Sequence, residues 1–347
     1  MTHSPSMLSL IATVKNEAHS IGPFLDSLLG QTRLPDEVVI VDGGSCDGTV
    51  ERILAYRDRL GCPLRVEVYA GATIAQGRNR AIELAGGEII ACTDAGVRLA
   101  PDWLEKLVAP LERNPLLDVA AGFFVTDPHN LFELALGVTT IPDVDEINGA
   151  RFLPSSRSVA FRRSAWRRAG GYPEWLDYCE DVVFDLALRR SGARFTFVPQ
   201  AIVYYRPRRT VCAFFKQYYL YARGDGKAGL WPHRHAIRYL TYTLGSWLAL
   251  HGRPRWAIWP LLLGLGLLYV RAPYVRLARR WGERHPAERA LAVLLVPLLR
   301  YIGDVAKMTG YPAGLVWRIR RRLAGRGAGT LIRPGEDQSA RGLARTR

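Results

Sequence analysis

Short apolar runs alternate with amphipathic segments over the first two thirds of the chain. Leu8–Val14 is a compact apolar run that predicts a buried strand, and in His19–Gln31 the positions Ile21, Leu25, Leu28 and Leu29 recur at helical spacing. The couple then repeats. Strand Glu37–Val41 precedes a helix over Val50–Arg59, and strand Leu64–Tyr69 precedes one over Ala75–Ala85. Strand Glu88–Thr93 precedes a helix over Pro101–Arg113, with proline near its first position, and Val119–Val125 reads as a further strand. Strand–helix alternation with short connections predicts an α/β fold with a doubly wound, mostly parallel sheet. Residues 126–157 are poorly patterned and read as a long active-site or acceptor-side loop. A short strand (Ser158–Phe161), a helix over Ser164–Ala169 stopped by Gly170-Gly171, and a helix over Glu180–Arg190 follow.

The pattern changes in the last third. Ile237–Leu250 and Trp256–Val270 are apolar runs of 14 and 15 residues, and Leu291–Leu299 is shorter. At 1.5 Å per residue the longest covers about 22 Å, against about 30 Å of bilayer hydrocarbon. Arg253 and Arg255 separate the first two runs, and Arg271, Arg276, Arg279 and Arg280 follow the second. Trp247, Trp256, Trp259 and Tyr269 suit a membrane interface. The expectation is a set of helices that enter or lie on the cytosolic leaflet of the cell membrane, held by the WRIRRR stretch Trp317–Arg322.

Charge sharpens this division. The formal net charge is +15, but residues 226–347 hold 22 Lys and Arg against 5 Asp and Glu, leaving 25 against 27 in residues 1–225. A basic tail points to anionic lipid or to nucleic acid. The aromatics Phe214, Phe215, Tyr218, Tyr219 and Tyr221 could stack on bases, yet their helical spacing suits packing or a membrane interface. Lipid is therefore the expected partner, and nucleic acid is not. Residues 325–347, rich in Gly and Arg, are expected to be a disordered tail. Cys46, Cys62, Cys92, Cys179 and Cys212 are scattered without a C-x-x-C pair, which argues against zinc or a disulfide framework. The seven apolar residues before Lys15 have no basic region ahead of them, so the N-terminal part is expected to stay in the cytosol.

Three carboxylates stand at predicted strand ends. Asp42 closes VVIVD before a small-residue turn, Glu17 lies just past Leu8–Val14, and Asp94 follows Glu88–Thr93. Open α/β sheets bind their ligands at the carboxyl edge of the strands, so these three describe a polar-ligand site. Glu180 and Asp181 occupy the first turn of a predicted helix, where the helix dipole favours negative charge.

The ordered set strand-KNE, VVIVDGGSCDGT, GRNRAIELAGGEII, TDAG, AFRRSAWRRAGGYPEW and CEDVVFDLALRRSG resembles the family 2 glycosyltransferases of GT-A fold, over roughly residues 7–225. The resemblance implies a donor site for a nucleotide-diphosphate sugar, with a UDP-sugar favoured, and an inverting displacement. Glu17 and Asp42 would contact uracil or ribose, and Arg78 and Asn79 the base or diphosphate. Asp94 matches the first aspartate of the family's Asp-x-Asp metal motif, whose second position here is Gly96. A divalent cation, Mg²⁺ or Mn²⁺, is implied with Asp94 as its protein ligand, and Arg78, Arg98 or Arg206 could share the charge. Asp181 would be the general base, with Glu180 beside it. Arg206 and Arg223 match the basic element that closes over the donor. Residues 226–324 would then be a membrane-associated helical region serving a lipid-linked or cell-envelope glycan acceptor. The alternative, motivated by Gly96, is a catalytically silent nucleotide-sugar binding protein.

Overall fold

The structure, a computed structural model, describes residues 6–282 and 284–324, so the expected tail lies outside the described residues. The chain runs β1 (Leu8–Val14), α1 (Ile21–Leu29), β2 (Glu37–Asp42), α2 (Thr49–Leu54), β3 (Leu64–Val68), α3 (Ile74–Leu84), β4 (Ile89–Asp94) and β5 (Val97–Leu99). It continues with α4 (Trp103–Arg113), β6 (Val119–Thr126), α5 (Leu131–Thr140), β7 (Val159–Arg162), α6 (Arg163–Ala169), α7 (Glu180–Arg190) and β8 (Phe195–Tyr205). Four helices close it: α8 (Val211–Ala228), α9 (Pro232–His251), α10 (Arg255–Arg279) and α11 (Pro286–Leu323). These divide into two compact units, residues 1–125 with 147–206, and residues 126–146 with 207–347.

In the first unit an eight-stranded sheet has the order β3-β2-β1-β4-β7-β6-β8-β5. The four strands β3, β2, β1 and β4 are parallel, and β7 turns antiparallel against β4. Alternate residues of each parallel strand enter opposite layers. Leu8, Leu10 and Ala12 of β1 meet Phe24, Leu25 and Leu28 of α1 and Trp103, Leu104 and Leu107 of α4. Ile11, with Val39, Val41, Ile90 and Cys92, meets Ala75 and Ile82 of α3, Ala165 of α6, and Phe184 and Leu188 of α7. Burial on both faces is why these strands read as continuous apolar runs. Pairing of Val14 with Asp42 and of Thr13 with Asp94 brings the carboxyl ends of β2, β1 and β4 to one edge.

The second unit is helical. Leu134 and Val138 of α5 pack with Val270 and Leu277 of α10 and with Ala292 and Val296 of α11. Ala135 and Leu136 pack with Phe214 of α8 and Leu299 of α11. Helices α8 and α11 approach closely along glycines, since a Cβ at Gly226, Gly310 or Gly314 would collide with the backbone of Tyr311, Tyr219 or Arg223.

Several expectations need correction. Residues 126–157 are not simply a loop: they contain α5, which is buried on nearly every side and so shows no amphipathic period. The division falls after Arg206 and not at 225, because α8 and α5 join the C-terminal helices. Strands β5 and β8 were not anticipated; β8 is half-exposed along much of its length, which blurs its pattern. The apolar runs also undercount the helices, since α10 spans 25 residues and α11 38.

Candidate active site

The site is built around α3. Thr73 starts this helix with a reciprocal capping box: its hydroxyl accepts from Gln76 N while the Gln76 side chain accepts from Thr73 N. One residue on, Gly77 faces β1, and a Cβ there would stand 2.8 Å from Thr13 Cγ2. Glycine therefore lets α3 lie against the sheet and puts the next residue, Arg78, inside the protein. Its Nη1 donates to Glu180 Oε1 at 2.6 Å and its Nη2 to Asp94 Oδ1 at 2.9 Å. The guanidinium also lies over the Tyr172 ring, 5.4 Å from its centroid. Arg78 thus reaches a residue 102 positions away in sequence and joins it to Asp94 through one buried cation.

Arg78 is 3% exposed, Glu180 9% and Asp94 25%. Burial opposes the charge of Arg78, but Asp94, Cys92 and Glu180 together hold it well above its ordinary value. Burial pushes the Glu180 carboxyl up to about 7, against the pull of Arg78 and with a contribution from Asp181. Both acids stand in the first turn of α7, whose N-cap Cys179 adopts a left-handed φ of 64°. Such strain at a non-glycine residue often accompanies a functional site. Asp181 is half-buried and accepts from Val182 N at 2.8 Å.

Asn79 has a different role from the one the resemblance implies. Its Nδ2 donates to Tyr172 O and Glu174 Oε1, and its Oδ1 accepts from Tyr172 N and Trp166 Nε1. All four hydrogen-bonding positions of the amide are filled by protein. Asn79 holds the Gly170-Gly171 bend, where Gly171 (φ 74°) comes so close that a Cβ would meet Asn79 Oδ1 at 2.9 Å.

Asp42 is fully buried, and its carboxylate accepts from Gly44 N at 2.8 Å, Ser45 N at 2.7 Å and the Ser45 hydroxyl. It shapes the turn after β2. That turn is laced to the loop after β1: Asn16 N donates to Ser45 Oγ, Glu17 N to Thr49 Oγ1, and Ala18 N to Asp47 Oδ2. Glu17 is half-buried, accepts from the Ser20 hydroxyl, and stands on the same loop pair. Arg206 follows the end of β8, and Arg223 lies on α8 in the second unit.

Sequence reasoning missed Arg157. Its Nε stands 3.4 Å from Asp94 Oδ2, and its guanidinium lies over the rings of Tyr205 (4.6 Å) and Phe124 (5.4 Å). Nothing in its own segment marks it, because the partner carboxylate is on β4. Asp94 is therefore flanked by two arginines and offers the one carboxylate of the shortened metal motif. A Cβ at Gly96 would meet nothing within 4 Å, so the space for a second side chain is present but the ligand is not. Among the described residues, the one grouping of three potential ligands is Asp143, Asp145 and Glu146, which are ion-paired to Arg276, Arg279 and Arg280 in the second unit. The residues at Asp94 fit a cation completed by substrate phosphates, a common arrangement for Mg²⁺, and not a cage built by protein alone.

The parallel strands of the sheet bring carboxylates to their carboxyl edge, the place where open α/β sheets bind polar ligands, and an acid pair at a helix start is tied to it. The chain belongs to the family 2 glycosyltransferases: the family model for glycosyl transferase family 2 matches residues 9–168, and that for glycosyl transferase family group 2 matches residues 89–303. The succinoglycan biosynthesis protein ExoA of Rhizobium meliloti (strain 1021) is 29% identical over 231 residues, 61% of this chain and 67% of that protein. EpsJ of Bacillus subtilis (strain 168), an uncharacterized glycosyltransferase, is 26% identical over 212 residues, 58% of this chain and 61% of its own length. A validoxylamine A glucosyltransferase of Streptomyces hygroscopicus subsp. limoneus is 29% identical over 134 residues, 37% of this chain and 29% of its own. The matches thus span from under a third to about two thirds of these relatives. The mannosyltransferase PcManGT from Pyrobaculum calidifontis, solved with GDP-Man and Mn²⁺, shares the fold at a TM-score of 0.51 and 18% identity, covering 94% of this chain and 89% of that one.

Proposed function

We propose that this chain is an inverting glycosyltransferase that moves a sugar from a nucleotide-diphosphate sugar, a UDP-sugar first, to a lipid-linked or cell-envelope glycan acceptor. The observation that carries this reading is the Glu180–Arg78–Asp94 bridge, which ties the acid pair of α7 to the carboxyl edge of the sheet. Family membership and the naming of ExoA for polysaccharide biosynthesis support the reaction class and the kind of acceptor.

In this reading Asp181 takes the proton of the acceptor hydroxyl as its oxygen attacks the anomeric carbon and the bond to the diphosphate oxygen breaks. Glu180, anchored by Arg78, fixes the start of α7 beside that base. Arg78 and Arg157 set positive charge next to Asp94, where the departing diphosphate needs it. A divalent cation, when bound, would be held by Asp94 and the donor phosphates and would add to that charge. The turn shaped by Asp42 and the loop bearing Glu17 form the nucleoside end of the site, and Arg206, just past β8, is the basic residue of this unit assigned to the donor phosphates.

Membrane association on the cytoplasmic side is part of the same proposal. Helix α10 is long and apolar enough to cross a bilayer by length and composition, and most of it is exposed. Ile237, Leu240, Leu244 and Trp247 make a further exposed stripe on α9. Apolar surface of this extent calls for a covering partner.

A thermal-shift panel of nucleotide sugars, with and without Mn²⁺, tests the donor reading. A donor that raises the melting temperature and is turned over against a lipid-linked acceptor supports it. Absence of stabilisation by every nucleotide sugar would refute it, and tight donor binding without turnover would favour the silent binder.

A further inference from the structure

The carboxylate of Asp94 has a cation at each oxygen. Arg78 Nη2 donates to Oδ1 at 2.9 Å, and Arg157 Nε faces Oδ2 at 3.4 Å. The carboxylate and its two guanidinium groups sum to +1, and Glu180, which shares Arg78, lowers that sum no further than zero. Divalent cations bind by ligand charge, so negative groups should outnumber positive ones where a metal is held by protein alone. Here they do not. Position 96, where a side chain would meet open space, is glycine and adds no acid.

The two arginines are held differently. Arg78 is 3% exposed, and its contacts of 2.6 Å to Glu180 and 2.9 Å to Asp94 fix it in place. Arg157 is 19% exposed, and its ion pair to Asp94 is the longer one. It rests on a seat of its own. Its Nη1 donates to Ser155 Oγ at 3.2 Å, and its guanidinium lies 4.6 Å from the Tyr205 centroid and 5.4 Å from that of Phe124. Aromatic faces hold a cation without a fixed hydrogen-bond direction, so the group can turn between neighbouring anions while keeping that seat. All of these residues belong to the first unit.

We propose that Arg157 is a resident cation that competes with a divalent ion for Asp94. In the free protein it holds Oδ2 and keeps the carboxylate from taking a metal by itself. When a nucleotide diphosphate arrives, Arg157 turns to the phosphates, and the released carboxylate joins them in holding the ion. Metal binding is thus conditional on the donor, while donor binding depends only weakly on metal. This deepens the donor-site proposal and rests on its placing of the cation at Asp94.

The test uses full-length protein in nonionic detergent, with Mn²⁺ alone as the first probe, read by the EPR signal of the free ion. Arg157→Gln should tighten Mn²⁺ binding about tenfold or more, within the usual range of coupling between two ligands. Arg157→Lys loses the same planar stacking but keeps the charge, and should bind as the wild type does. Adding Asp94→Asn to Arg157→Gln should abolish the gain. Equal Mn²⁺ affinity in wild type and Arg157→Gln, or an equal gain with lysine, would overturn the competition, and a gain that survives Asp94→Asn would overturn Asp94 as the contested ligand. Gly96→Asp adds an acid and leaves Arg157 in place, so tightening by Gly96→Asp alone would refute the role of Arg157 and keep Asp94 as the metal position. The second arm is calorimetry of the unaltered chain with UDP, which needs no variant to fold. Affinity in EDTA should lie within several-fold of that with Mn²⁺, and a dependence of about a hundredfold or more would overturn the turn of Arg157 to the phosphates. Absence of UDP binding with Mn²⁺ present would fall on the donor reading, and the metal arm, which uses no nucleotide, still decides Arg157.

Discussion

Removal of Arg78 is the most exacting test of the site's architecture. In Arg78→Met the hydrophobic stem survives, while Glu180 and Asp94 lose their shared cation. Glu180 carries most of the penalty because it is 9% exposed, whereas Asp94, at 25%, keeps access to water. Breaking a buried pair from one side costs about 3–5 kcal/mol, and the partial exposure of Asp94 argues for the lower end, about 3 kcal/mol. For a unit of this size that lowers the melting temperature by roughly 6–12 °C. The pH dependence is diagnostic. The folded-state value of Glu180, about 7, lies above its ordinary 4.5, so ionising it opposes folding, and this contribution to stability falls as pH rises between those values. Without Arg78 the carboxyl moves higher still, and the falling window extends above pH 7. The gap between wild type and Arg78→Met should therefore be small near pH 5 and widen above pH 7. Adding Glu180→Gln to Arg78→Met removes the second partner and should restore at least half the loss. Thermal unfolding from pH 5 to 8 measures all three proteins. A loss under about 1 kcal/mol, or a gap that stays flat with pH, would mean that the bridge is a surface-like contact and that Glu180 is not held as described.

Other outcomes follow from the same geometry. Asp181→Asn should leave nucleotide-sugar binding nearly intact and lower turnover by about a hundredfold or more; undiminished transfer would remove Asp181 as the base. Gly96→Asp has open space for its side chain and should tighten Mn²⁺ binding at Asp94, read by calorimetry, with no gain in affinity counting against Asp94 as the ligand position. Gly77→Ala pushes α3 away from Thr13 and should cost about 1–3 kcal/mol, as overpacking does; an unchanged melting temperature would show that α3 is free to shift. Full-length protein should sediment with anionic vesicles more than with neutral ones, and a chain that ignores both kinds would refute the membrane reading.

The catalytic unit was largely legible in the sequence because its signals are local. Buried parallel strands announce themselves as apolar runs, and register then carries Asp42 and Asp94 to one edge without further information. Glu180–Arg190 was found at its observed limits because acids in a first turn and a basic last turn mark helix ends. What stayed hidden depends on partners distant in sequence. Arg157 is one polar residue among serines until β4 brings Asp94 to it. Asn79, which looks like a ligand for the donor, is filled by Trp166, Tyr172 and Glu174 from a segment some 90 residues downstream.

The same reasoning explains the misplaced domain boundary. Composition and charge change near residue 226, and a boundary there follows if apolar surface is covered by its neighbours in sequence. Helix α5 breaks that assumption. Leu134 and Val138 are covered by Val270, Leu277, Ala292 and Val296, more than 130 residues later, so α5 has no polar face and no readable period. Its side chains are further tied by Arg276, whose guanidinium donates to Val138 O and to both oxygens of Glu146. A chain cut near Gly226 would therefore keep α5 while losing α10 and α11. The apolar face so uncovered includes several fully buried side chains, each worth about 1.5–3 kcal/mol on burial. Solubility of the catalytic unit by itself thus requires replacing residues 126–146 with a short polar connection as well as ending the chain near Arg206, and a cut at 226 alone should aggregate. The helices of the second unit hold an insertion of the catalytic sequence, not merely a tail appended to it.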